Sequence, residues 1–148
     1  MTHLPARLAL LATLALAACS SNPPPPDWQM TAHSGLDSAA QAWMEGRDRV
    51  EAIEFDRARA AIARTGRPAL LARAELHRCA TRVAALVFEP CAGFDALATD
   101  AEPPELAYAR HLQGAATPAD TALLPVAQRG PVASIDDPLA RLVAAGVR

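Results

Sequence analysis

The chain has 148 residues, 51% of them hydrophobic, and its 14 basic and 16 acidic residues give a net charge of −2 at pH 7. This length suits one domain around a single core, and the balanced charge excludes a general electrostatic attraction to nucleic acid. Aromatic residues make up only 4% of the chain. With so much of its apolar content supplied by alanine, the sequence predicts helices that approach one another closely.

The N-terminal segment has the organisation of an export signal. A single basic residue, Arg7, precedes an apolar run over residues 8–16. That run is far shorter than the roughly 20 residues that a membrane-spanning helix needs. It closes on Leu16-Ala17-Ala18-Cys19, which resembles the signal of bacterial lipoproteins. The whole chain is also similar to small proteobacterial lipoproteins, a likeness that carries no activity with it.

The lipoprotein resemblance implies that residues 1–18 are removed and that Cys19 receives a diacylglyceryl thioether and then an N-linked acyl chain such as palmitate. Each buried methylene contributes about 0.8 kcal/mol, so two or more chains anchor a protein stably. Ser20 follows the cysteine where an Asp would favour the inner membrane. We therefore expect the periplasmic leaflet of the outer membrane, with the inner membrane and a secreted form with a free Cys19 as alternatives.

A tether is predicted over residues 19–27, where polar residues lead into the run Pro23 to Pro26. Such a segment cannot pack a core and favours extended polyproline geometry. We interpret it as a spacer between the lipid headgroups and the domain, and a docking segment for a partner's aromatic groove is the alternative. Residues 28–148 then form a single domain.

Three long helices are predicted in the first half of this domain, over residues 34–45, 48–65 and 68–87. The first two helices are predicted to begin at capping pairs and the third at a proline. Glycines are predicted to end the first two helices. These signals are Ser34 with Asp37, Asp48 with Glu51, Pro68, Gly46 and Gly66.

Shorter helices are predicted over residues 94–98, 104–113, 117–124 and 137–145, and no segment alternates with a period of two. The fold class is therefore all-α, a small bundle of helical hairpins. Residues 37–85 also resemble tetratricopeptide hairpins in the placing of Trp43, Gly46, Phe55 and Ala58. That resemblance implies a helical domain that binds other proteins.

Cys79 and Cys91 are a candidate disulfide, because an exported protein reaches an oxidising compartment. A helix continuing to Phe88 would leave little chain to bring the two cysteines within the usual Cα separation of about 5.5 Å, so the bridge forms more easily if the helix ends early. The bond would fasten the third helix to the following turn. The alternatives are two buried thiols and a redox-active pair, although such pairs usually lie closer in sequence.

Metal binding would draw on His77, Cys79, Cys91 and His111, but their spacing matches no ligand motif, so we predict neither a metal nor another cofactor. The domain has three serines, Ser34, Ser38 and Ser134, and none of them has the flanking glycines of a nucleophile elbow.

Acidic residues on the predicted helices are interpreted as surface groups rather than catalytic carboxylates. Glu51 and Glu54 would form a solvated face on which Glu54 meets Arg57, and Glu75 would pair with Arg78 on the next helix. The sequence therefore predicts no catalytic residue.

These observations favour a lipid-anchored, periplasm-facing helical domain that is not an enzyme and acts by contact with an envelope protein. Two alternatives belong to other classes, a carrier of a small ligand or metal and a small hydrolase of cell-envelope substrates. Trp43, Phe55 and Tyr108 can form a recognition surface or serve as packing residues.

Overall fold

A computed structural model describes residues 23–147, and over that range the fold is all-α, as the sequence predicts. The predicted signal peptide, Cys19 and the first residues of the predicted tether lie outside the described part. In residues 23–147, no helix is both long and apolar enough to cross a membrane. The helices are α1 (Asp27–Met44), α2 (Asp48–Ala63), α3 (Pro68–Ala84), α4 (Ala92–Asp95), α5 (Pro103–Leu112) and α6 (Pro138–Gly146), with 3-10 turns at Ala98–Asp100, Pro118–Leu123, Val126–Gln128 and Val132–Ser134.

Helix α1 begins seven residues earlier than predicted, at Asp27 instead of Ser34. Pro26 is extended and precedes the first turn, while the Ser34 hydroxyl donates to the Thr31 carbonyl within the helix. The additional turns bury Ala32 in the core, and this packing extends the helix beyond the local capping signal. The helix therefore includes Asp27, the last residue of the predicted tether.

Helices α1 and α2 pack through small side chains. A Cβ atom added at Gly35 would lie 2.9 Å from the Ala58 Cβ and 3.0 Å from the Glu54 carbonyl oxygen, so only glycine allows this approach. Ala39 and Ala61 are buried nearby. This packing confirms the close helix approach predicted from the alanine-rich composition.

Helix α3 lies at the centre of the domain and packs on α1, α2, α5 and α6. Its apolar stripe joins the short C-terminal elements in one core cluster around Leu76, Phe94, Leu112 and Val143. Side-chain caps begin two of these elements, as predicted. Asp137 accepts from the Ala140 amide at the start of α6, and Asp120 accepts from the amide and hydroxyl of Thr117.

The α3 helix ends at Ala84, three residues before the predicted end at Val87. Two hydrogen bonds close it, from the Leu86 amide to the Val83 carbonyl and from the Val87 amide to the Arg82 carbonyl. This pattern is a Schellman motif, and it requires a left-handed residue, which here is Leu86 with φ of 59°. Residues 85–90 then form an exposed loop that leads to α4.

Four buried acidic side chains each bond to an arginine from elsewhere in the chain. The pairs are Glu51 with Arg78, Glu75 with Arg59, Glu105 with Arg73, and Asp120 with Arg110. The prediction that Glu51 belongs to a solvated face is therefore wrong, as is the pairing of Glu75 with Arg78, because α3 packs against α2 and brings these groups together across the helices. The predicted surface pair of Glu54 with Arg57 forms at 2.8 Å.

Candidate functional site

Cys79 on α3 and Cys91, just before α4, lie at disulfide distance, with their Cα atoms 5.9 Å apart. The early end of α3 makes this approach possible, because residues 85–90 reverse the chain within six positions. The loop is also held by Arg82, whose Nε pairs with the Glu89 carboxylate. The turn between Cys79 and Cys91 is therefore fixed on the body of the domain.

Three consecutive apolar side chains project from this turn. Leu86, Val87 and Phe88, which we call the distal tip, have exposed fractions of 67%, 37% and 66%. The two other phenylalanines of the chain, Phe55 and Phe94, are buried in the core at 2% and 3%. A domain so poor in aromatic residues thus leaves one of its three phenylalanines in solvent.

Leu86 occupies a backbone position that favours glycine. Gly46 and Gly114 have the same place at the ends of α1 and α5, with the same hydrogen-bond pattern and φ values of 71° and 68°. A leucine in the left-handed region costs roughly 1–2 kcal/mol relative to its right-handed conformation. Of these three turns, only the one after α3 has a residue that is unfavourable in the left-handed conformation, and its side chain is apolar and exposed.

The distal tip lies at the end of the bundle away from the tether. The Arg82 guanidinium is 4.4 Å from the centroid of the Trp43 ring, which places the end of α3 beside the end of α1. Helix α1 has 18 residues and is about 27 Å long. The distal tip and Pro26 are therefore separated by roughly the length of α1.

A groove of about 560 Å³ adjoins the distal tip, between the loop and the ends of α5 and α6. Phe88 and Pro90 line one side, and Leu112 and Val147 line the other. The exposed apolar surface of the tip therefore continues into a concave surface that can receive side chains.

A second concave surface lies on another side of α3. This cleft, of about 650 Å³, is bounded by α3, α5, α6 and residues 123–129. Buried apolar side chains, Leu76, Leu124 and Val143 among them, form its walls. Its volume is in the range of small-molecule sites in proteins, roughly 300–1,000 Å³.

Seven polar or charged side chains line the same cleft, namely Arg73, His77, Glu105, Tyr108, Gln128, Arg129 and Asp137. Arg73 donates to Oε1 of Glu105, and the buried Oε2 of Glu105 has no hydrogen-bond partner in residues 23–147. The ring of His77 also faces the Leu36 backbone on α1. Burial lowers the pKa of His77, which favours the neutral imidazole, and raises the pKa of Tyr108 to about 12, which keeps the phenol protonated.

The cysteines and histidines considered as metal ligands lie in different parts of the domain. Cys79 and Cys91 approach each other, His77 lines the cleft, and Nε2 of His111 lies 3.3 Å from the Gln128 side-chain oxygen. The part of the chain that the structure describes contains no group of three potential metal ligands.

The three aromatic candidates have different environments. Phe55 is buried under the Arg78 guanidinium, 4.4 Å from the ring centroid, and Trp43 is half-buried beneath Arg82. Both are packing residues, whereas Tyr108 lines the cleft. Phe88 was missed by the sequence reasoning, although the apolar run of residues 86–88 before Pro90 was a usable signal.

Comparisons of the chain with known protein families, curated proteins and solved structures find no match.

Proposed function

We propose that this protein is a lipid-anchored accessory domain of the cell envelope, which faces the periplasm and binds an apolar pocket of an envelope protein through its distal tip. The observation that carries the proposal is Leu86, an exposed leucine at a left-handed position where two equivalent turns of the same chain have glycine. The domain acts by binding and performs no catalysis.

Energetics support a role for the distal tip in binding. Stability alone favours glycine at residue 86 and favours polar side chains in an exposed loop. Strained backbone positions persist where the rest of the structure enforces them, and they are concentrated at functional sites. Here the Cys79 and Cys91 pair and the Arg82–Glu89 ion pair hold the loop and restrict the conformations open to the tip. A rigid apolar anchor loses little conformational entropy on binding.

The anchor is supported by the pattern that ends at Cys19 and by the prolines that follow it. Acyl chains on Cys19 would hold the protein in the periplasmic leaflet of the outer membrane, with the inner membrane as the alternative. The tether joins α1 at the end opposite the distal tip. A domain standing on the membrane would therefore present the distal tip to a partner about one helix length beyond its attachment.

The attachment is tested by fractionation of cells that carry wild-type protein or Cys19→Ala. We expect wild-type protein in the membrane fraction after a high-salt wash and the Cys19→Ala variant in the soluble fraction. A Cys19→Ala variant that stays on washed membranes contradicts the lipid anchor.

The docking is tested with Phe88→Glu and a matched control, Ile53→Glu, on the exposed face of α2. Ile53 has an exposed fraction of 59%, close to that of Phe88. After chemical crosslinking in intact cells, we expect one envelope protein to be joined to the wild type and to the Ile53→Glu variant and lost from Phe88→Glu. Equal crosslinking of both variants rules out the distal tip as the docking site.

A further inference from the structure

We propose that the cleft between α3, α5 and α6 is a binding site for a small amphipathic molecule with an apolar body and an N–H or O–H donor that reaches Glu105. This site is separate from the distal tip and does not depend on the proposed docking. The proposal rests on the shape of the cleft, on its apolar walls and on the unpartnered oxygen of a buried carboxylate.

Glu105 supplies the polar end of the site. Its side chain has an exposed fraction of 3%, and Arg73 bonds to only one of its two oxygens. Buried carboxylate oxygens in folded proteins usually have a hydrogen-bond partner, because an unpaired buried acceptor is costly. An N–H or O–H group of a bound molecule can donate a hydrogen bond to Oε2. An anionic group would instead be repelled by the negative charge of the carboxylate.

His77 and Tyr108 extend the polar part of the cleft. The imidazole of His77 is neutral, and the protonated phenol of Tyr108 can donate or accept. The charged residues of the lining balance, since Arg73 and Arg129 are offset by Glu105 and Asp137, and the neutral His77 and Tyr108 add no positive charge that would attract an anion. The ligand class that fits is therefore a neutral or cationic molecule with hydrogen-bonding capacity at one end.

The apolar walls of the cleft favour an apolar body for the rest of the ligand. Leu76 from α3, Leu124 from the 123–129 segment and Val143 from α6 are buried in the domain and also border the cleft. An alkyl or aryl body between them removes apolar surface from water, which drives binding of such molecules. The three walls come from different elements, so the site forms only in the folded domain.

The experiment uses three probes that share a six-carbon chain, hexylamine, hexanol and hexanoate. Each is titrated into the full chain carrying Cys19→Ala, so that no acyl chain competes for them, and the ring resonances of His77 and Tyr108 are followed by NMR. We expect saturable shifts with hexylamine and hexanol and none with hexanoate. Absence of shifts with hexylamine and hexanol, or equal shifts with all three probes, overturns the proposal.

Two variants locate the site. Ala140 lines the cleft on α6, and Ala145 is an exposed residue of the same helix that does not line it. We expect Ala140→Phe to abolish the hexylamine shifts and Ala145→Phe to keep them. Glu105→Gln preserves size and removes the charge, so it should weaken hexylamine binding more than hexanol binding. If hexylamine binds Ala140→Phe and Glu105→Gln as it binds the parent chain, the cleft is not its site.

Discussion

Arg78 on α3 makes two hydrogen bonds to the buried carboxylate of Glu51 on α2, at 2.6 and 2.7 Å, while its guanidinium lies over the ring of Phe55. Glu51 and Phe55 are one turn apart on α2, so a single arginine contacts a charge and an aromatic face side by side. The planar guanidinium suits both contacts, which lysine cannot reproduce. This arrangement joins the first hairpin to the central helix.

Replacing Arg78 with alanine is expected to lower the free energy of unfolding by about 3 kcal/mol, because the buried Glu51 carboxylate loses both hydrogen bonds and keeps only the Arg82 guanidinium nearby, at 3.7 Å. Urea denaturation measures the change. Arg57→Ala is the matched control, since Arg57 pairs with Glu54 at the surface and its loss should cost less than about 1 kcal/mol. Similar losses in the two variants contradict a structural role specific to the Glu51–Arg78 pair.

Gly35→Ala should destabilise the domain, although the same exchange inside an ordinary helix is favourable. The new methyl group would lie against Ala58 and the Glu54 carbonyl, and relieving that overlap requires α1 and α2 to separate. The expected loss is about 1–3 kcal/mol by thermal or urea unfolding. Ser34→Ala, at the neighbouring exposed position, should change stability by less than about 0.5 kcal/mol. A stabilising Gly35→Ala exchange refutes the close contact.

Leu86→Gly should raise the free energy of unfolding by about 0.5–1 kcal/mol, because relief of the left-handed strain exceeds the entropy that glycine adds to the unfolded chain. The reverse exchange, Gly46→Leu, should lower stability by about 1 kcal/mol, since no atom lies within 4 Å of its Cβ position and only the backbone conformation matters. Leu86→Gly should also weaken the partner crosslink. A Leu86→Gly variant that is destabilised contradicts the strain argument.

Asp120 should make the domain sensitive to acid. The Arg110 side chain and the Thr117 amide and hydroxyl donate to its carboxylate and hold the pKa well below its usual range. A lowered folded-state pKa gives stability that is present above the unfolded value, about 3.9, and is lost as the pH falls towards the folded value.

The measurement compares urea midpoints of the wild type and Asp120→Asn between about pH 5 and about pH 2. We expect a shallower fall in the variant, with Asp136→Asn at an exposed position behaving like the wild type. Parallel curves for the wild type and Asp120→Asn exclude this carboxylate as a source of acid sensitivity.

The cysteine pair should be oxidised in the exported protein. Non-reducing peptide mapping is expected to link Cys79 with Cys91, and replacing both by alanine should lower the free energy of unfolding by about 2–4 kcal/mol. Two thiols that react with an alkylating reagent in periplasmic material contradict the bond.

Helix punctuation predicts much of this fold because proline, glycine and capping residues act locally. The starts at Pro68 and Pro138 and the end after Leu112 follow such signals. The α3 end at Ala84 does not, because its left-handed residue is a leucine and sequence rules expect glycine there. The early start of α1 was missed because packing of Ala32 in the core extends the helix beyond the local signal.

The candidate sites depend on contacts that a linear pattern does not reveal. Glu51 has the spacing of a surface residue on its own helix, and only the crossing of α3 buries it against Arg78. The cleft combines Glu105, His77 and Leu124 from three separate elements. Cys79 and Cys91 lie at disulfide distance, in agreement with a prediction that rested on the expected oxidising compartment, since the spacing alone required that the helix end early.

The docking proposal is tested most directly by a photo-reactive amino acid placed at position 88 of the anchored protein in living cells, with position 53 as the control. We predict a discrete protein crosslink from position 88 that is absent from position 53 and is reduced in the Cys19→Ala form. Lipid adducts alone at position 88, or the same crosslinked protein from both positions, would contradict docking through the distal tip.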